Sequence, residues 1–393
     1  MLQKIITRSF ESDPRDQQTI QQQKKVVKYV CDRNKQVFQN YIEQELQILQ
    51  SKLLSENAQN KQSQVQRIQF KDGRFIDYRD NLDNKLSFEV ISKTIIFISG
   101  IPSGIRYFGK IEKFIGNEFC RMINLYIPGF DKKDERRGSY QGKFDQLVQL
   151  IDDFMTHLNI QKAIFVVHSY GGLIVKNFAY FKPARVEGLV QLASVPLTLW
   201  QGIKQYYILE KTRYFIDSNN LTFEQLQNEE FRDHLNQVIS VNRNQILALS
   251  KDELDQIGPA SLFTFSEIIP LLKLKLSVPG KYSEIFSRFR KLDKKIPRLF
   301  AYSPNDNVVL AETIEEEIYE FVLGENTIKR RIVNEVSQHT QLCKQDFGSN
   351  YIFRFDDASH SIHHEKGNEL GILIKHFIRQ LDNTEIITQQ PKF

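Results

Sequence analysis

The segment with the clearest chemical potential is Ala163–Gly172, which reads AIFVVHSYGG. Strand-forming residues run up to His168 and Ser169, and two glycines follow before a helical pattern starts. A strand that turns into a helix within two or three residues needs unusual backbone angles and small side chains, and it exposes the residue at its apex. If that residue is Ser169, its hydroxyl is placed to act as a nucleophile. Such chemistry requires a base, an acid that orients the base, and donors for an oxyanion.

Strands alternate with helices on both sides of this turn. Such alternation predicts a mostly parallel sheet covered by helices on both faces, with its chemistry on the loops at the carboxyl ends of the strands. The predicted strands lie within Lys93–Gly104, Met122–Phe130, Ala163–Val167, Val186–Ala193, Pro297–Asp306 and Tyr351–Phe355. The predicted helices are Tyr107–Gly116, Lys143–Met155, Gly171–Tyr180, Leu310–Val322 and Asn368–Leu381.

Four segments follow from the pattern along the chain. We predict an N-terminal extension over residues 1–64, the first part of an α/β core over 65–196, a helical cap over 197–295, and the second part of the core over 296–393. The extension contains a long amphipathic helix, whose apolar stripe either packs on this protein's own body or binds a partner protein. We expect the first of these.

The order of these motifs resembles the α/β-hydrolase family, in particular its capped esterase- and lipase-like members. The resemblance covers roughly residues 65 to 380, interrupted by the cap. The motifs that carry it are, in chain order, the hairpin Asp72–Arg79, the loop Ser99–Pro102, the turn Pro128–Phe130, the elbow His168–Gly172, the strand end Ser303–Asp306, and the Ser359-His360 loop. It implies an α/β-hydrolase fold with an inserted helical cap.

The resemblance also implies a role for five residues. Ser169 would be the nucleophile, His360 the general base, and Asp306 the acid that orients the imidazole and stabilises its cation. The chain order serine, aspartate, histidine is the order that this family uses. The backbone N–H groups of Tyr170 and Ile101 would form the oxyanion hole.

The sequence departs from the family's pattern at three points. Val167 stands two residues before Ser169, where the family prefers a small side chain, and this predicts crowding at the elbow. Ser99 replaces the histidine that usually begins the oxyanion loop. The interval from Asp306 to His360 is 360 − 306 = 54 residues, which is long and predicts an insertion around Lys329–Gln345.

Other interpretations exist for the residues of the predicted triad. Ser169 also suits the N-cap of the following helix, and Asp306 lies in a segment rich in turn-forming residues. Asp356 and Asp357 are rival acids, but they lie on the same loop as His360 and are poorly placed to orient it. The flanking strand and glycines favour the nucleophile for Ser169.

No cofactor or metal is expected. His360, His363 and His364 are close in sequence, but no cysteine or carboxylate follows them at metal-ligand spacing. No glycine-rich phosphate loop is present beyond the elbow, and His168 is predicted to be a packed or hydrogen-bonded neighbour of the site. The chain carries 53 basic and 48 acidic residues without a basic block, which argues against nucleic-acid binding.

The cysteines and the apolar runs bear on the compartment. Three scattered cysteines form neither a disulfide framework nor a zinc motif, so a reducing compartment is expected. No run approaches the roughly 20 apolar residues of a transmembrane helix. The start Met1–Phe10 lacks a secretory core, and its Lys4 and Arg8 without acidic residues also fit a short mitochondrial presequence. The predicted location is intracellular, either cytoplasmic or mitochondrial.

Together these features predict a serine hydrolase that cleaves an ester, thioester or related acyl bond through an acyl-enzyme on Ser169. The substrate would be a small molecule or a lipid, and the Leu- and Phe-rich cap favours an apolar acyl group. A serine nucleophile disfavours the epoxide and haloalkane branches of the family, which use aspartate there. The alternative is a catalytically inactive subunit with a structural role in a larger complex. Cofactor-free dioxygenase or lyase chemistry, which also occurs on this fold, is a third interpretation.

Overall fold

The computed structural model describes the regions that build the sheet and its flanking helices. The described residues are scattered positions between 25 and 47, then 64–82, 93–100, 107–116, 120–127, 144–195, 292–293, 295–306, 309, 311–318 and 351–388. Residues 197–291 of the predicted cap, the Pro128–Phe130 turn, Ile101 and the predicted insertion around Lys329–Gln345 lie outside these residues. The domain boundaries therefore stay predictions.

Eight strands form one sheet in the order β1-β2-β4-β3-β5-β6-β7-β8. Their bounds are β1 (Gln66–Gln69), β2 (Phe75–Asp80), β3 (Thr94–Ile98), β4 (Arg121–Tyr126), β5 (Ala163–His168), β6 (Val186–Leu192), β7 (Arg298–Tyr302) and β8 (Tyr351–Arg354). The first two strands form an antiparallel hairpin, and β2 also pairs antiparallel with β4. All other pairs are parallel. The predicted mostly parallel sheet is confirmed.

Helices cover both faces of this sheet, also as predicted. They are α1 (Gly109–Ile115), α2 (Phe144–His157), α3 (Tyr170–Phe181), α4 (Ala311–Glu317), α5 (Ile362–Glu365) and α6 (Gly367–Thr388). Alternate residues of each central strand face opposite helix layers, because successive side chains of a strand point to opposite sides. In β5, Phe165 and Val167 pack with α2 and α3, whereas Ile164 and Val166 pack with α1 and α6.

The predicted hairpin is confirmed around Asp72-Gly73. Gly73 has a φ of 85°, a left-handed angle that glycine adopts without steric cost. An Asp72 side-chain oxygen accepts a hydrogen bond from the Arg74 N–H at 3.1 Å, which is typical of an aspartate in a turn. Gln69 therefore pairs with Phe75, the innermost pair of the hairpin.

The described positions of the N-terminal extension are helical, and two of them are buried in the body of the protein. Val27 and Cys31 lie in an apolar cluster with Phe300 and Tyr302 of β7 and with Ile314 of α4. For these positions the apolar stripe packs on this protein's own core, which agrees with the interpretation that we favoured. Among the described helices, none is long and apolar enough to cross a bilayer.

Candidate active site

The turn between β5 and α3 has the backbone geometry expected for a nucleophile elbow, although Ser169 itself is only 7% exposed. Ser169 adopts φ 50° and ψ −123°, a region that non-glycine residues rarely occupy and that costs of order 1–3 kcal/mol. Its backbone N–H donates to the carbonyl of Leu192 at 3.1 Å, and its carbonyl accepts from Gly172 and Val195 at 3.1 and 2.9 Å. These bonds to the end of β6 hold Ser169 in its strained conformation.

The two glycines after the nucleophile are required by close approach. A Cβ on Gly171 would lie 2.4 Å from the carbonyl oxygen of Ile98, and one on Gly172 would lie 1.6 Å from the Ser194 hydroxyl. A larger side chain at Gly171 would therefore require a backbone shift, and one at Gly172 would require Ser194 to move. Val167 is accommodated: it is fully buried and would be at ordinary contact distance, 3.5 Å, from that Gly172 Cβ. The crowding predicted at this valine does not prevent the turn from forming.

Three side chains from distant parts of the sequence form one hydrogen-bonded chain. His360 Nε2 lies 3.1 Å from Ser169 Oγ, and His360 Nδ1 lies 2.8 Å from Asp306 Oδ2. An ionised Asp306 only accepts, so Nδ1 carries the proton and Nε2 is free to accept the serine hydroxyl. Ser169 makes no side-chain capping bond to α3, so its hydroxyl is used toward His360 and not as a helix cap.

Of the three candidate acids, Asp306 is the one that hydrogen-bonds the His360 imidazole. Its side chain is fully buried, and its Oδ1 accepts from the Val309 N–H at 2.8 Å, which fixes the carboxylate. Asp356 pairs with Arg354, and the side chain of Asp357 is 74% exposed. Because Asp306 follows β7, its place at the carboxyl edge of the sheet is set by the strand.

The turn after β7 also holds the loop that carries His360. The Ser303 hydroxyl donates to the carbonyl of Ala358, and the Asn305 amide donates to the carbonyl of Asp356 at 2.6 Å. Within the loop, the Ser359 N–H and hydroxyl both bond the Glu365 carboxylate at 2.5 Å. The acid and the base are therefore tied together by main-chain contacts as well as by their own side chains.

The oxyanion hole is described only in part. Tyr170 is the first residue of α3, so its N–H belongs to the helix N-terminus directly beside the nucleophile. Ile101 lies outside the described residues, but Gly100 before it approaches the nucleophile closely: a Cβ there would lie 2.7 Å from Ser169 Cβ. The loop after β3 thus comes up to the hydroxyl, and the role of both N–H groups stays a prediction.

Behind Ser169 and His360 lies a largely buried aromatic group, of which the sequence predicted only His168, as a packed or hydrogen-bonded neighbour. Tyr107, His168 and His363 pack together, with ring centroids 5.4, 4.2 and 4.1 Å apart in pairs. His168 contacts the loop of His360 as well, at 4.8 Å between the rings. The only sequence signals were a histidine beside the nucleophile and a second one three residues after the base. Among the described residues, no group of three or more histidines, cysteines and acids forms a metal site.

A second buried pair flanks the elbow helix. The Lys176 ammonium of α3 donates to Glu317 of α4 at 2.6 Å and to the carbonyl of Val195 at 3.0 Å. Burial lowers the pKa of Lys176, and the Glu317 charge acts against that shift. The pair joins the helix that follows the nucleophile to the helix that follows the acid.

Comparison with known proteins agrees with this geometry. A family model described as the alpha/beta hydrolase fold matches residues 93–307, more than half of the chain. The chain belongs to the α/β-hydrolase family. A curated relative, the abhydrolase domain-containing protein abhd-5.2 of Caenorhabditis elegans, is 26% identical over 98 residues, which are 24% of this chain. The match spans only 22% of that relative's length.

Solved structures of other proteins share the fold of this α/β-hydrolase at low sequence identity. A haloalkane dehalogenase loop variant from Bradyrhizobium elkanii matches with a TM-score of 0.53 and 12% identity, covering 82% of this chain and 99% of its own. A mutant of an epoxide hydrolase from Bacillus megaterium matches with a TM-score of 0.52 and 18% identity, covering 80% of this chain and 100% of its own. At these identities the likeness supports the fold alone.

Proposed function

We propose that this α/β-hydrolase is a serine hydrolase that cleaves an ester, thioester or related acyl bond through an acyl-enzyme on Ser169. The observation that carries the proposal is the unbroken hydrogen-bond chain from Ser169 through His360 to Asp306. Serine at the elbow supports acyl transfer over the chemistry of the epoxide and haloalkane branches, which use aspartate there. The dehalogenase and epoxide hydrolase among its structural neighbours are therefore relatives in fold.

In the proposed reaction, Ser169 Oγ attacks the acyl carbonyl carbon while His360 Nε2 takes the hydroxyl proton. The imidazolium is stabilised by Asp306, and it then gives this proton to the leaving alcohol or thiol as the bond to the acyl carbon breaks. Water attacks the acyl-enzyme next, with His360 again as base, and the acid product leaves. The backbone N–H groups of Tyr170 and Ile101 would bind the oxyanion, and each such donor is typically worth ~3 kcal/mol.

Labelling with a fluorophosphonate tests the proposal directly, because such a probe reacts only with an activated serine. The native protein should be labelled in minutes, and Ser169→Ala should not be labelled. Ser194→Ala is the matched control: this nearby serine is also buried, and its hydroxyl makes no hydrogen bond in the described structure. Labelling that persists in Ser169→Ala, or a folded native protein that stays unlabelled, would support the inactive structural subunit instead.

The substrate class is proposed from the sequence of the cap and needs its own measurement. An apolar acyl pocket predicts that kcat/KM on p-nitrophenyl esters rises with acyl chain length, because each buried methylene adds about 0.8 kcal/mol. A flat or falling series from acetate to decanoate would favour a small polar acyl group. We propose no cofactor for this reaction.

We also propose a reducing compartment, the cytoplasm or the mitochondrion. Cys31 and Cys120 are buried and form no disulfide in the described structure, and burial raises the pKa of Cys31 to about 12, which keeps it protonated. Imaging of the chain carrying a C-terminal fluorescent tag would decide between the two locations. The alternative, in which part of the N-terminal helix binds a partner protein, predicts a stoichiometric partner that is lost when residues 1–60 are removed.

A further inference from the structure

The strongest unassigned feature is the side chain that links the nucleophile's strand to the base. His168, the residue before Ser169, is fully buried at the end of β5. Its Nε2 lies 2.8 Å from the carbonyl oxygen of His360, and its Nδ1 lies 2.6 Å from the hydroxyl of Tyr107. No other described side chain bonds the main chain of the base itself.

The two contacts fix the tautomer of His168. A carbonyl oxygen can only accept, so Nε2 must carry the proton and donate it to His360. Nδ1 is then unprotonated and accepts the hydroxyl proton of Tyr107. Tyr107 thereby selects the one neutral form of His168 that can hold the His360 carbonyl, in the way that an outer partner sets the tautomer of a histidine ligand.

We infer that His168, with its tautomer set by Tyr107, is the positioning residue that fixes the main chain of His360 opposite Ser169. The inference rests on the proposed serine hydrolase. His360 is then held at two ends: its imidazole by Asp306 and its carbonyl by His168. Because His168 is the residue before Ser169, the second bond ties the main chain of His360 directly to the strand that leads into the nucleophile.

The surroundings make this contact rigid. The ring of His363 stacks on Tyr107 with centroids 4.1 Å apart and an angle of 12°, and it lies 4.2 Å from the ring of His168. His363 is buried, and neither of its nitrogens has a hydrogen-bond partner in the described structure. It therefore acts through packing.

Burial is the main reason that His168 stays in the required neutral state, and it outweighs the hydrogen bond to the His360 carbonyl, which raises the pKa. Burial holds its pKa well below the usual value, and the neighbouring His360 and His364 lower that pKa further. His363 is affected in the same direction by burial, by these three histidines and by Lys110. A neutral His168 can accept from Tyr107 and donate to His360 at once, whereas a protonated one could not accept.

A pair of amide substitutions separates positioning from simple packing. In His168→Gln the amide nitrogen reaches the place of Nε2 and can donate to the His360 carbonyl. In His168→Asn the amide reaches only the place of Nδ1, so it can bond Tyr107 but not His360. Both variants replace the imidazole with a neutral amide, so both lose the packing of the ring. They differ in how far the amide reaches. A third variant, Tyr107→Phe, removes only the hydroxyl that sets the tautomer.

The rate of fluorophosphonate labelling and the kcat and KM for p-nitrophenyl acetate should be measured per folded molecule. We expect His168→Asn to lose about 10²-fold in labelling rate and kcat with KM within about twofold, the size that a small misplacement of a catalytic group produces. His168→Gln should recover most of that loss, and Tyr107→Phe should fall between them. Equal rates for the glutamine and asparagine variants would overturn the inference.

Crystal structures of the two amide variants give a readout that needs no turnover. The distance from Ser169 Oγ to His360 Nε2, 3.1 Å here, should be kept in His168→Gln and lengthened in His168→Asn. The same distance in both variants would refute the positioning role. If the native protein is not labelled, the proposed function fails, and these distances still decide the inference.

Discussion

Two buried acid–base pairs flank the elbow helix α3, and they differ in one decisive respect. The pair of Asp306 and His360 reaches Ser169 through His360 Nε2, and the pair of Glu317 and Lys176 joins α4 to α3. The His360 side chain is 21% exposed, whereas both members of the second pair are almost fully buried, at 1% and 4%. The Lys176 ammonium donates to the Glu317 carboxylate and to the Val195 carbonyl. An ammonium has no acceptor, so it cannot take a proton from a neighbouring hydroxyl.

The difference concerns the third group that each pair contacts. Burial and pairing alone describe both, and for Lys176 they produce a structural clamp between helices. In the first pair the second imidazole nitrogen faces the Ser169 hydroxyl at 3.1 Å. The proposed reactivity therefore depends on this nitrogen, for which the second pair has no counterpart.

The largest effect should come from breaking the pair of Asp306 and His360. Asp306→Asn removes the charge that stabilises the imidazolium and allows the wrong tautomer of His360, so kcat should fall about 10⁴-fold. Fluorophosphonate labelling and ester turnover measure it. Asp356→Asn is the matched control, because that carboxylate lies on the surface of the same loop as His360, and its rate should stay native. A loss below tenfold for Asp306→Asn would contradict the assigned role.

Breaking the pair of Lys176 and Glu317 should cost stability and spare the chemistry. Lys176→Met leaves Glu317 buried without its partner, so the free energy of unfolding should fall by about 3–5 kcal/mol. The double variant Lys176→Met, Glu317→Leu removes both charges and should regain most of that loss. Urea unfolding provides the energies, and labelling per folded molecule should stay within about threefold of native. A double variant no more stable than the single one would argue against this account.

The smallest effect should appear in the pH dependence of stability. Burial keeps the folded-state pKa of His168 below its unfolded value, so between the two values the unfolded chain binds the extra proton. The free energy of unfolding should therefore fall as the pH drops below about 6.5, by up to about 1.4 kcal/mol per pH unit from this one residue.

Urea unfolding between pH 7.5 and 5 checks this slope, with His168→Gln as the comparison because glutamine does not titrate. Its profile should be flatter than the native one by that amount. Identical profiles would mean that His168 is not held neutral by the fold. His363, which is buried in the same way, should keep its own contribution in both proteins.

The positions of the three site residues could largely be predicted from sequence, because the ends of strands can be recognised there. Ser169, Asp306 and His360 each follow a run of strand-forming residues, and parallel strands end at one edge of a sheet. The structure brings these three side chains together, while their catalytic roles stay predictions. The fold and the covering helices follow from the same alternation of patterns.

The rest depended on contacts between distant residues. Tyr107 lies 61 positions from His168, and His168 lies 192 positions from His360, so no local pattern marks their bonds. From its residue type, Lys176 would be assigned to a solvent-exposed helix face. In the structure it is fully buried and paired with Glu317, a carboxylate 141 positions away. Such distant hydrogen-bond partners can be identified only once the order of the strands in the sheet is known.

The anchoring of reactive groups at strand ends has a consequence for how this molecule can change. Ser169 follows β5, Asp306 follows β7, and His360 lies on the loop after β8. If the proposed chemistry is correct, changes of length or sequence in the segments that connect these strands should alter substrate range more than they alter the distances among the three groups.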